Sequence, residues 1–416
     1  MTSATLILSL ACVFGFLMAW GVGANDVGNA MGTSVGSHSL TLRQAIVVAV
    51  IFEFLGSLLA GGEVTDTIRQ GLIEPALLEA NHHTLILGMM AALLASAIWL
   101  AFATRFGWPV STSHTIVGAI VGFGTSELGV AAIQWSTMGQ IAASWLLSPL
   151  MGGVLAYTLH KSILRYILNA QHPLDQAKKL APFYIFFVGL IVFSLVLFSG
   201  IDHIIGYTLS QTARFFLSII LAAIIALIGK FLLVHLKLDP NADKVFHFAN
   251  VEKIFGLLML FTACAMAFAH GSNDVANAIG PLAAIAQLLQ GGDYATQNTI
   301  PLWTLILGAS GIVLGLVTYG HKVIATIGKG ITELTPTRGF SATLAAATTV
   351  IIASGTGLPI STTHTIVGAV LGVGLAKGIN ALNLNVIRTI LISWLITLPM
   401  GAVLAIIIFK VLRLFL

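Results

Sequence analysis

Gly23-Ala-Asn-Asp-Val-Gly-Asn-Ala-Met-Gly32 returns in the second half of the chain as Gly271-Ser-Asn-Asp-Val-Ala-Asn-Ala-Ile-Gly280, identical at seven of ten positions. Each copy follows a run of apolar residues long enough to cross a bilayer, so each brings an aspartate, Asp26 or Asp274, to membrane depth. An ionised carboxylate there costs at least a few kcal/mol unless a partner or a water-filled cavity compensates it. A fold that carries this cost twice has a use for the acid.

A second block is duplicated in the same order. Pro109-Val-Ser-Thr-Ser-His-Thr-Ile-Val-Gly-Ala-Ile-Val-Gly-Phe-Gly124 reappears as Pro359-Ile-Ser-Thr-Thr-His-Thr-Ile-Val-Gly-Ala-Val-Leu-Gly-Val-Gly374, identical at eleven of sixteen positions. Asn25 and Ser111 are 86 positions apart, and Asn273 and Ser361 are 88 apart. Ser144-Trp145 and Ser393-Trp394 extend the match. The chain therefore reads as a first repeat over 1–160, a connector with two spans over 161–250, and a second repeat over 251–416.

Of 416 residues, 57% are hydrophobic and 8% are charged, the charged share being about a third of that usual in soluble domains. No water-soluble fold hides so much apolar surface. Lipid offers no hydrogen-bond partners, and the apolar runs far exceed the ten-residue segments of a barrel, so an all-α polytopic membrane protein is expected. Apolar spans are predicted at 4–22, 44–60, 85–103, 109–124, 137–159, 181–199, 212–235, 251–270, 301–319, 340–357, 360–376 and 387–412, about twelve membrane segments. Those opening at Pro109 and Pro359 have the character of re-entrant or broken helices. Met1 to Trp20 lacks a basic leader and a cleavage site and reads as a retained first span. Cys12 and Cys264 lie in apolar stretches without a ligand cluster, which supports neither a disulfide scaffold nor zinc. A net charge of +4 without a basic stripe argues against nucleic acid as a partner. The expected surroundings are the lipid bilayer of the cell inner (plasma) membrane.

Loop charges test whether the repeats are inverted. The loop at 61–84 carries Glu63, Asp66, Arg69, Glu74 and Glu79, and its counterpart at 320–340 carries Lys322, Lys329, Glu333 and Arg338. Basic loops stay cytoplasmic, so opposite sidedness is expected. Lys161 and Arg165 after the first repeat and Lys410 and Arg413 after the second weigh the other way. The connector, with Lys178, Lys179, Lys237 and Lys244 in its polar stretches, reads as structural.

In the first duplicated motif, Asn25 and Asn29, or Asn273 and Asn277, stand four apart, and each aspartate stands three before the second asparagine. Their oxygens share a helical face. Asp26, Asn29, Asp274 and Asn277 are thus the predicted ligands of a hard cation; the absence of sulfur and of a tight imidazole cluster disfavours zinc or copper. Polar residues also glue membrane helices together, but two copies, each with an acid, two amides and flanking glycines, favour ion binding.

In the second motif, Pro109 and Pro359 suit a helix start, and Ser111, Thr112, Ser113, Ser361, Thr362 and Thr363 suit capping positions with free N–H groups. Hydroxyl donors at the positive end of a helix dipole fit a tetrahedral oxyanion, and two such ends meeting near the midplane would enclose it, with Asn25 and Asn273 beside it. Ordinary helix capping is the plainer alternative. His114 and His364, three residues beyond the first serine of each copy, read as supporting donors, proton carriers or packing residues. Glu53 lies inside the second span with no acid aligned to it and reads as a coupling or gating residue; an interfacial glutamate that snorkels to water is the alternative. His270 stands where the first copy has Val22 and reads equally well as packing. The seven tryptophans read as interfacial anchors.

Gly-x-Asn-Asp-Val-x-Asn-Ala in both halves, each followed by Pro-x-Ser-Thr-x-His-Thr, resembles the inorganic phosphate transporter (PiT) family over essentially the whole chain. The resemblance implies phosphate symport driven by sodium or protons, about twelve spans in an inverted repeat, and a homodimer. It marks Asp26, Asp274 and the Ser/Thr helix starts as substrate and ion sites and gives Glu53 a part in transport. One departure is visible: family members often carry an acid within Phe340–Leu344, where this chain has Thr343. The expected function is secondary active import of inorganic phosphate with sodium through alternating access, without a cofactor. Sodium fits the oxygen cage; a protonatable carboxylate or the two histidines would serve protons instead. A sulfate permease on the same scaffold, a passive anion channel and an intramembrane hydrolase using Ser111 with His114 are the rivals.

Overall fold

A computed structural model of the chain describes residues 3–74, 82–199, 208–239, 248–290, 300–321, 323–324, 334–378 and 384–416. Glu79, Lys244, Lys322, Lys329 and Glu333, which enter the loop-charge reading, lie outside the described residues. The first half supplies α1 (Ser3–Gly36), α2 (Leu42–Ala60), α3 (Gly62–Gln70), α4 (His82–Arg105), α5 (Thr112–Glu127) and α6 (Trp135–Ile163). Then follow α7 (Pro173–Ser199) and α8 (Gln211–Val234). The rest comprises α9 (Ala249–Asp274), α10 (Ala276–Leu289), α11 (Leu302–Tyr319), α12 (Pro336–Gly355), α13 (Thr362–Lys377) and α14 (Leu384–Phe415). Among the described residues β-structure is limited to an isolated bridge between Ile73 and Ile133.

Nine stretches among the described residues are long and apolar enough to cross a membrane, which makes this a multi-pass helical membrane protein. The expected stretches at 109–124, 340–357 and 360–376 form helices outside that set. α5 and α13 have 16 residues each, roughly 24 Å of rise against a hydrocarbon core of about 30 Å. α12 is long enough but carries Thr337, Ser341, Thr343, Thr348, Thr349 and Ser354.

The predicted ends of the motif-bearing spans differ from the observed ones for a physical reason. The span expected at 4–22 runs on through the motif to Gly36. The span expected at 251–270 reaches Asp274 and, after a break at Val275, continues as α10. The motif side chains find partners on neighbouring helices, so their polarity does not end the helix.

The apolar core is split in two. One part gathers Val27–Met31 of α1 with residues of α2, α6, α7, α9, α12 and α13; the other gathers Ala11–Val22 of α1 with residues of α3, α4, α5, α10, α11 and α14. α1 and the α9–α10 pair each pass from one core to the other at their Asn-Asp motif, which leaves a polar layer between two apolar ones.

Helix contacts are reciprocal. α1 packs on α11 and α9 on α2, while α5 packs on α14 and α13 on α6. The motif glycines make the first two crossings. A Cβ on Gly23 would collide with the Ile312 carbonyl, and one on Gly271 with the Glu53 carbonyl. Gly118 and Gly368 do the same against the backbones of Leu398 and Pro149. Backbones approach this closely in membranes only where a small residue faces them.

Candidate functional site

Two helical hairpins build the site. α4 and α5 are joined by a tip over residues 106–111, and α12 and α13 by a tip over 356–361. The tips touch each other. Ser113 Oγ donates to the Ile360 carbonyl at 2.9 Å, and Thr363 Oγ1 to the Val110 carbonyl at 3.1 Å. Each tip ends in the predicted cap, with Ser111 Oγ accepting from His114 N and Ser361 Oγ from His364 N, both at 3.2 Å. These bonds satisfy one of the orphan N–H groups of each helix start and leave the earlier ones directed out of the helix end.

Each motif holds the tip of its own half through its first asparagine. Asn25 Nδ2 donates to Thr104 Oγ1 and to the Trp108 carbonyl, both at 3.0 Å, and its Oδ1 accepts from Val110 N at 3.3 Å. Asn273 Nδ2 donates to Ser354 Oγ and to the Leu358 carbonyl, both at 3.2 Å. Their amide hydrogens are thereby committed to the tips. The second asparagine reaches across to the other half: Asn29 Nδ2 to Thr363 Oγ1 at 2.8 Å, and Asn277 Nδ2 to Thr112 Oγ1 at 3.2 Å.

The carboxylates lie inside this weave. Thr362 Oγ1 donates to Asp274 Oδ2 at 2.7 Å; Asp26 Oδ1 accepts from Thr363 Oγ1 at 3.3 Å and from Asn29 Nδ2 at 3.0 Å. Asp26, Asn29, Asp274, Asn277 and the six Ser/Thr residues of the helix starts are all at most 2% exposed. Asp26 Oδ2, Asp274 Oδ1, Asn29 Oδ1, Asn273 Oδ1 and Asn277 Oδ1 are buried without a hydrogen-bond partner. Five acceptor oxygens with no donor are costly in a protein interior and form the ligand set a cation would satisfy.

Glu53 is fully buried in α2, which removes the snorkelling alternative. Its Oε1 lies 3.2 Å from His270 Nδ1, and His270 Nε2 lies 3.0 Å from Asp274 Oδ2. His270, whose place in the sequence fits packing equally well, belongs to the site. It brings an imidazole nitrogen within 4.8 Å of oxygens of both aspartates. Two signals were available: it stands four positions before Asp274, on the same helical face, and it breaks the identity of the repeat at Val22. The glycine contacts place Ile312 where Glu53 would be by symmetry, so the second motif has a Glu-His pair where the first has Ile and Val. Thr343 lies on α12 and hydrogen-bonds Thr33 of α1 at 2.7 Å, away from the Glu53 equivalent.

His114 and His364 stand behind the helix starts. Their rings are 4.4 Å apart at the centroids, with Trp145 3.9 Å from His114 and Trp394 3.5 Å from His364. One ring nitrogen of each faces the backbone of the tryptophan on the opposite side. The Trp145 carbonyl is open to this because Pro149, four residues on, has no N–H to offer it. Trp145 Nε1 in turn donates to the Pro359 carbonyl at 3.2 Å. Both tryptophans therefore brace the site, where anchoring at the membrane surface was expected of the tryptophans in general.

The arrangement can hold an anion against hydroxyls and N–H groups while the adjoining carboxylates and amide oxygens hold cations. Comparison with known proteins agrees with that chemistry. Residues 22–405 match the model of the phosphate transporter family. A Haemophilus influenzae protein described as a candidate phosphate permease is 51% identical over 97% of this chain and 96% of its own length. The chloroplast inorganic phosphate transporter 2-1 of Arabidopsis thaliana is 44% identical over 97% of this chain and 72% of its own. A solved structure described as the sodium-dependent phosphate transporter superposes with a TM-score of 0.89, at 37% identity, over 99% of this chain and all of that one. A polar layer of paired acids and hydroxyls inside a duplicated helical bundle, matched over nearly its full length, places this chain in the phosphate transporter family.

Proposed function

We propose that the protein is a secondary active transporter that imports inorganic phosphate across the cell inner membrane by symport with sodium. The observation that carries this reading is the meeting of the two hairpin tips around Asp26 and Asp274, each of which has one oxygen without a donor. Phosphate is assigned to the hydroxyls and N–H groups of Ser111, Thr112, Ser113, Ser361, Thr362 and Thr363. Sodium is assigned to Asp26, Asn29, Asp274 and Asn277. Asn25 and Asn273 hold the tips in place for phosphate.

Cation and anion lower each other's cost of burial at this site, and that coupling is reciprocal: phosphate raises sodium affinity by the factor by which sodium raises phosphate affinity. The halves 1–160 and 251–416 are read as inverted repeats that rock about the shared site, with 161–250 as the connector. In support, each hairpin tip is bonded to a motif of both halves, so a shift of one half against the other breaks one set of these bonds while keeping the other. Oxygen ligands favour sodium, and the name of the solved relative is in keeping with it.

The test is uptake of labelled phosphate into proteoliposomes under a sodium gradient or a proton gradient imposed separately, with sulfate as competitor. Accumulation under the sodium gradient alone is expected. Accumulation driven only by protons would overturn the coupling ion, competition by equimolar sulfate would overturn the substrate, and equilibration without accumulation would make the protein a channel.

A further inference from the structure

Beyond the motif, α1 continues one polar stripe toward the end of the bundle. Asn25, Asn29, Thr33 and Ser37 follow at steps of four, each step about 6 Å along the axis. Thr33 is fully buried and Ser37 is 4% exposed. Thr33 Oγ1 meets Thr343 Oγ1 of α12 at 2.7 Å, and Thr343 gives its hydroxyl hydrogen to the Gly339 carbonyl at 2.8 Å. Thr33 is therefore the donor across the gap. One turn further, Ser37 faces Gly339, where a Cβ would come within 3.2 Å of the serine side chain. Ser34 Oγ is buried beside this stripe without a partner.

The second half has no such stripe. Four and eight positions after Asn277 stand Pro281 and Ile285, both buried. The repeat register of the tips puts Leu93 of α4 opposite Thr343, and Leu93 packs in one apolar cluster with Ile279, Leu282 and Ile285. One side of the site is thus lined by hydroxyls closed by a single hydrogen bond; on the other, the packing beside Pro281 and Leu93 is apolar, and a buried Arg69–Gln287 pair lies farther along α10.

The polar side ends among basic residues. Ser341 Oγ of α12 lies 3.4 Å from His160 Nδ1 at the end of α6, and Lys161 and Arg338 flank that histidine. Bundle ends rich in Lys and Arg are cytoplasmic.

We infer that the Thr33–Thr343 hydroxyl pair is the gate of a hydrated route between the ion and phosphate site and the cytoplasm. Ser37 lies at the mouth of that route, and no equivalent route exists beside Pro281 and Leu93. The inference rests on the transport reading. Hydroxyls replace part of the water around a passing ion, whereas an apolar constriction of the same width expels water and blocks it.

Two measurements test it. In a Cys12→Ala, Cys264→Ala background, a charged methanethiosulfonate applied to inverted membrane vesicles is expected to label Ser37→Cys and Thr33→Cys at least about tenfold faster than Ile285→Cys and Leu93→Cys, because only the polar side opens at low cost. Comparable rates, or faster labelling at Ile285→Cys and Leu93→Cys, would overturn the route. Ser37→Cys, at the mouth, keeps the comparison decisive if Thr33→Cys folds poorly. Thr343→Val is expected to cut turnover by roughly fivefold or more with the half-saturating phosphate concentration within about twofold, and Thr343→Ser to restore it. Unchanged turnover in Thr343→Val, or no recovery with serine, would equally overturn it. Labelling needs no transport, so a flat labelling pattern counts against the route alone, whereas wild-type protein that takes up no phosphate counts against the function beneath it.

Discussion

Asn29 Nδ2 donates to Thr363 Oγ1 at 2.8 Å, tying the first Asn-Asp motif to the tip of the second hairpin across 334 positions of sequence. Thr363 also donates to Asp26 Oδ1 or to the Val110 carbonyl, so one hydroxyl joins both halves at the carboxylate. Thr363→Val removes it with almost no change of shape. A hydrogen bond to a charged group contributes about 1.5–3 kcal/mol. Calorimetric titration with phosphate in the presence of sodium should therefore show affinity falling by roughly tenfold or more, with Thr363→Ser close to wild type. An unchanged affinity in the valine variant would remove Thr363 from the site.

Asp26→Asn and Asp274→Asn keep the size and one acceptor oxygen of each group but take away its charge. The neighbours that donate to Asp26, Asn29 and Thr363, still have an oxygen to reach, so both variants should elute and melt like wild type. Sodium-driven phosphate uptake should fall by at least about a hundredfold, because a cation held by a neutral amide in a low-dielectric site lacks the Coulombic attraction that offsets its lost hydration. Normal uptake in either variant would refute the ligand assignment. Sodium binding measured without phosphate should fall in the same variants, because the lost charge acts on the ion directly.

The sequence made the larger outline legible because membranes simplify the problem. Long apolar runs with duplicated motifs leave helices as the only spans, and Ser111 and Ser361 cap the helices that Pro109 and Pro359 introduce. The pairing between halves was out of reach. That Asn29 bonds Thr363 and Asn277 bonds Thr112 depends on how two hairpins interdigitate, and sequence spacing within one helix carries no such information. The meaning of Gly23 and Gly271 is likewise hidden in sequence, where they only flank the motif; in the fold they are where another backbone passes. His270 was legible in part, through its spacing from Asp274, but an imidazole four residues from an acid is also a common packing arrangement. The deciding fact, Glu53 on its other nitrogen, comes from α2.

The glycine crossings predict where the fold is least tolerant. A Cβ on Gly23 or Gly271 runs into a backbone carbonyl, which cannot swing aside as a side chain can. Gly23→Ala and Gly271→Ala should each lower stability by about 1–3 kcal/mol through forced separation of the helices, read as a lower melting midpoint in detergent. Gly139→Ala, where an added Cβ meets nothing within 4 Å, serves as the control and should melt like wild type. If all three melt alike, the close crossings are not what holds α1 on α11 and α2 on α9.

The packed rings of Trp145, His114, His364 and Trp394 predict a separation of stability from coupling. Their contacts are with one another and with backbone, and aromatic contacts of this kind contribute about 0.5–1.5 kcal/mol each. His114→Gln and His364→Gln should lower the melting midpoint while leaving the ratio of sodium to phosphate transported unchanged. A changed ratio in proteoliposomes would give the histidines a part in coupling after all.

The Glu53–His270 pair makes the sharpest prediction, because the other half of the molecule shows its apolar alternative. Val22 and Ile312 occupy the equivalent places, so the helix crossing itself does not need charge. His270→Val leaves the Glu53 carboxyl buried and unpaired, at a cost of about 3–5 kcal/mol, while Glu53→Ile strips His270 Nδ1 of its partner but leaves Nε2 on Asp274. Removing both recreates the Ile–Val contact of the first half, and replacing a buried pair by apolar residues is often neutral. The double variant should therefore recover most of the stability lost by either single one, with a coupling energy of about 1–3 kcal/mol in a double-mutant cycle. Phosphate uptake should not recover with it, since Asp274 has then lost the imidazole 3.0 Å from its carboxylate. Recovery of stability and uptake together would make Glu53 and His270 a packing pair, whereas stability without uptake ties them to the ion site.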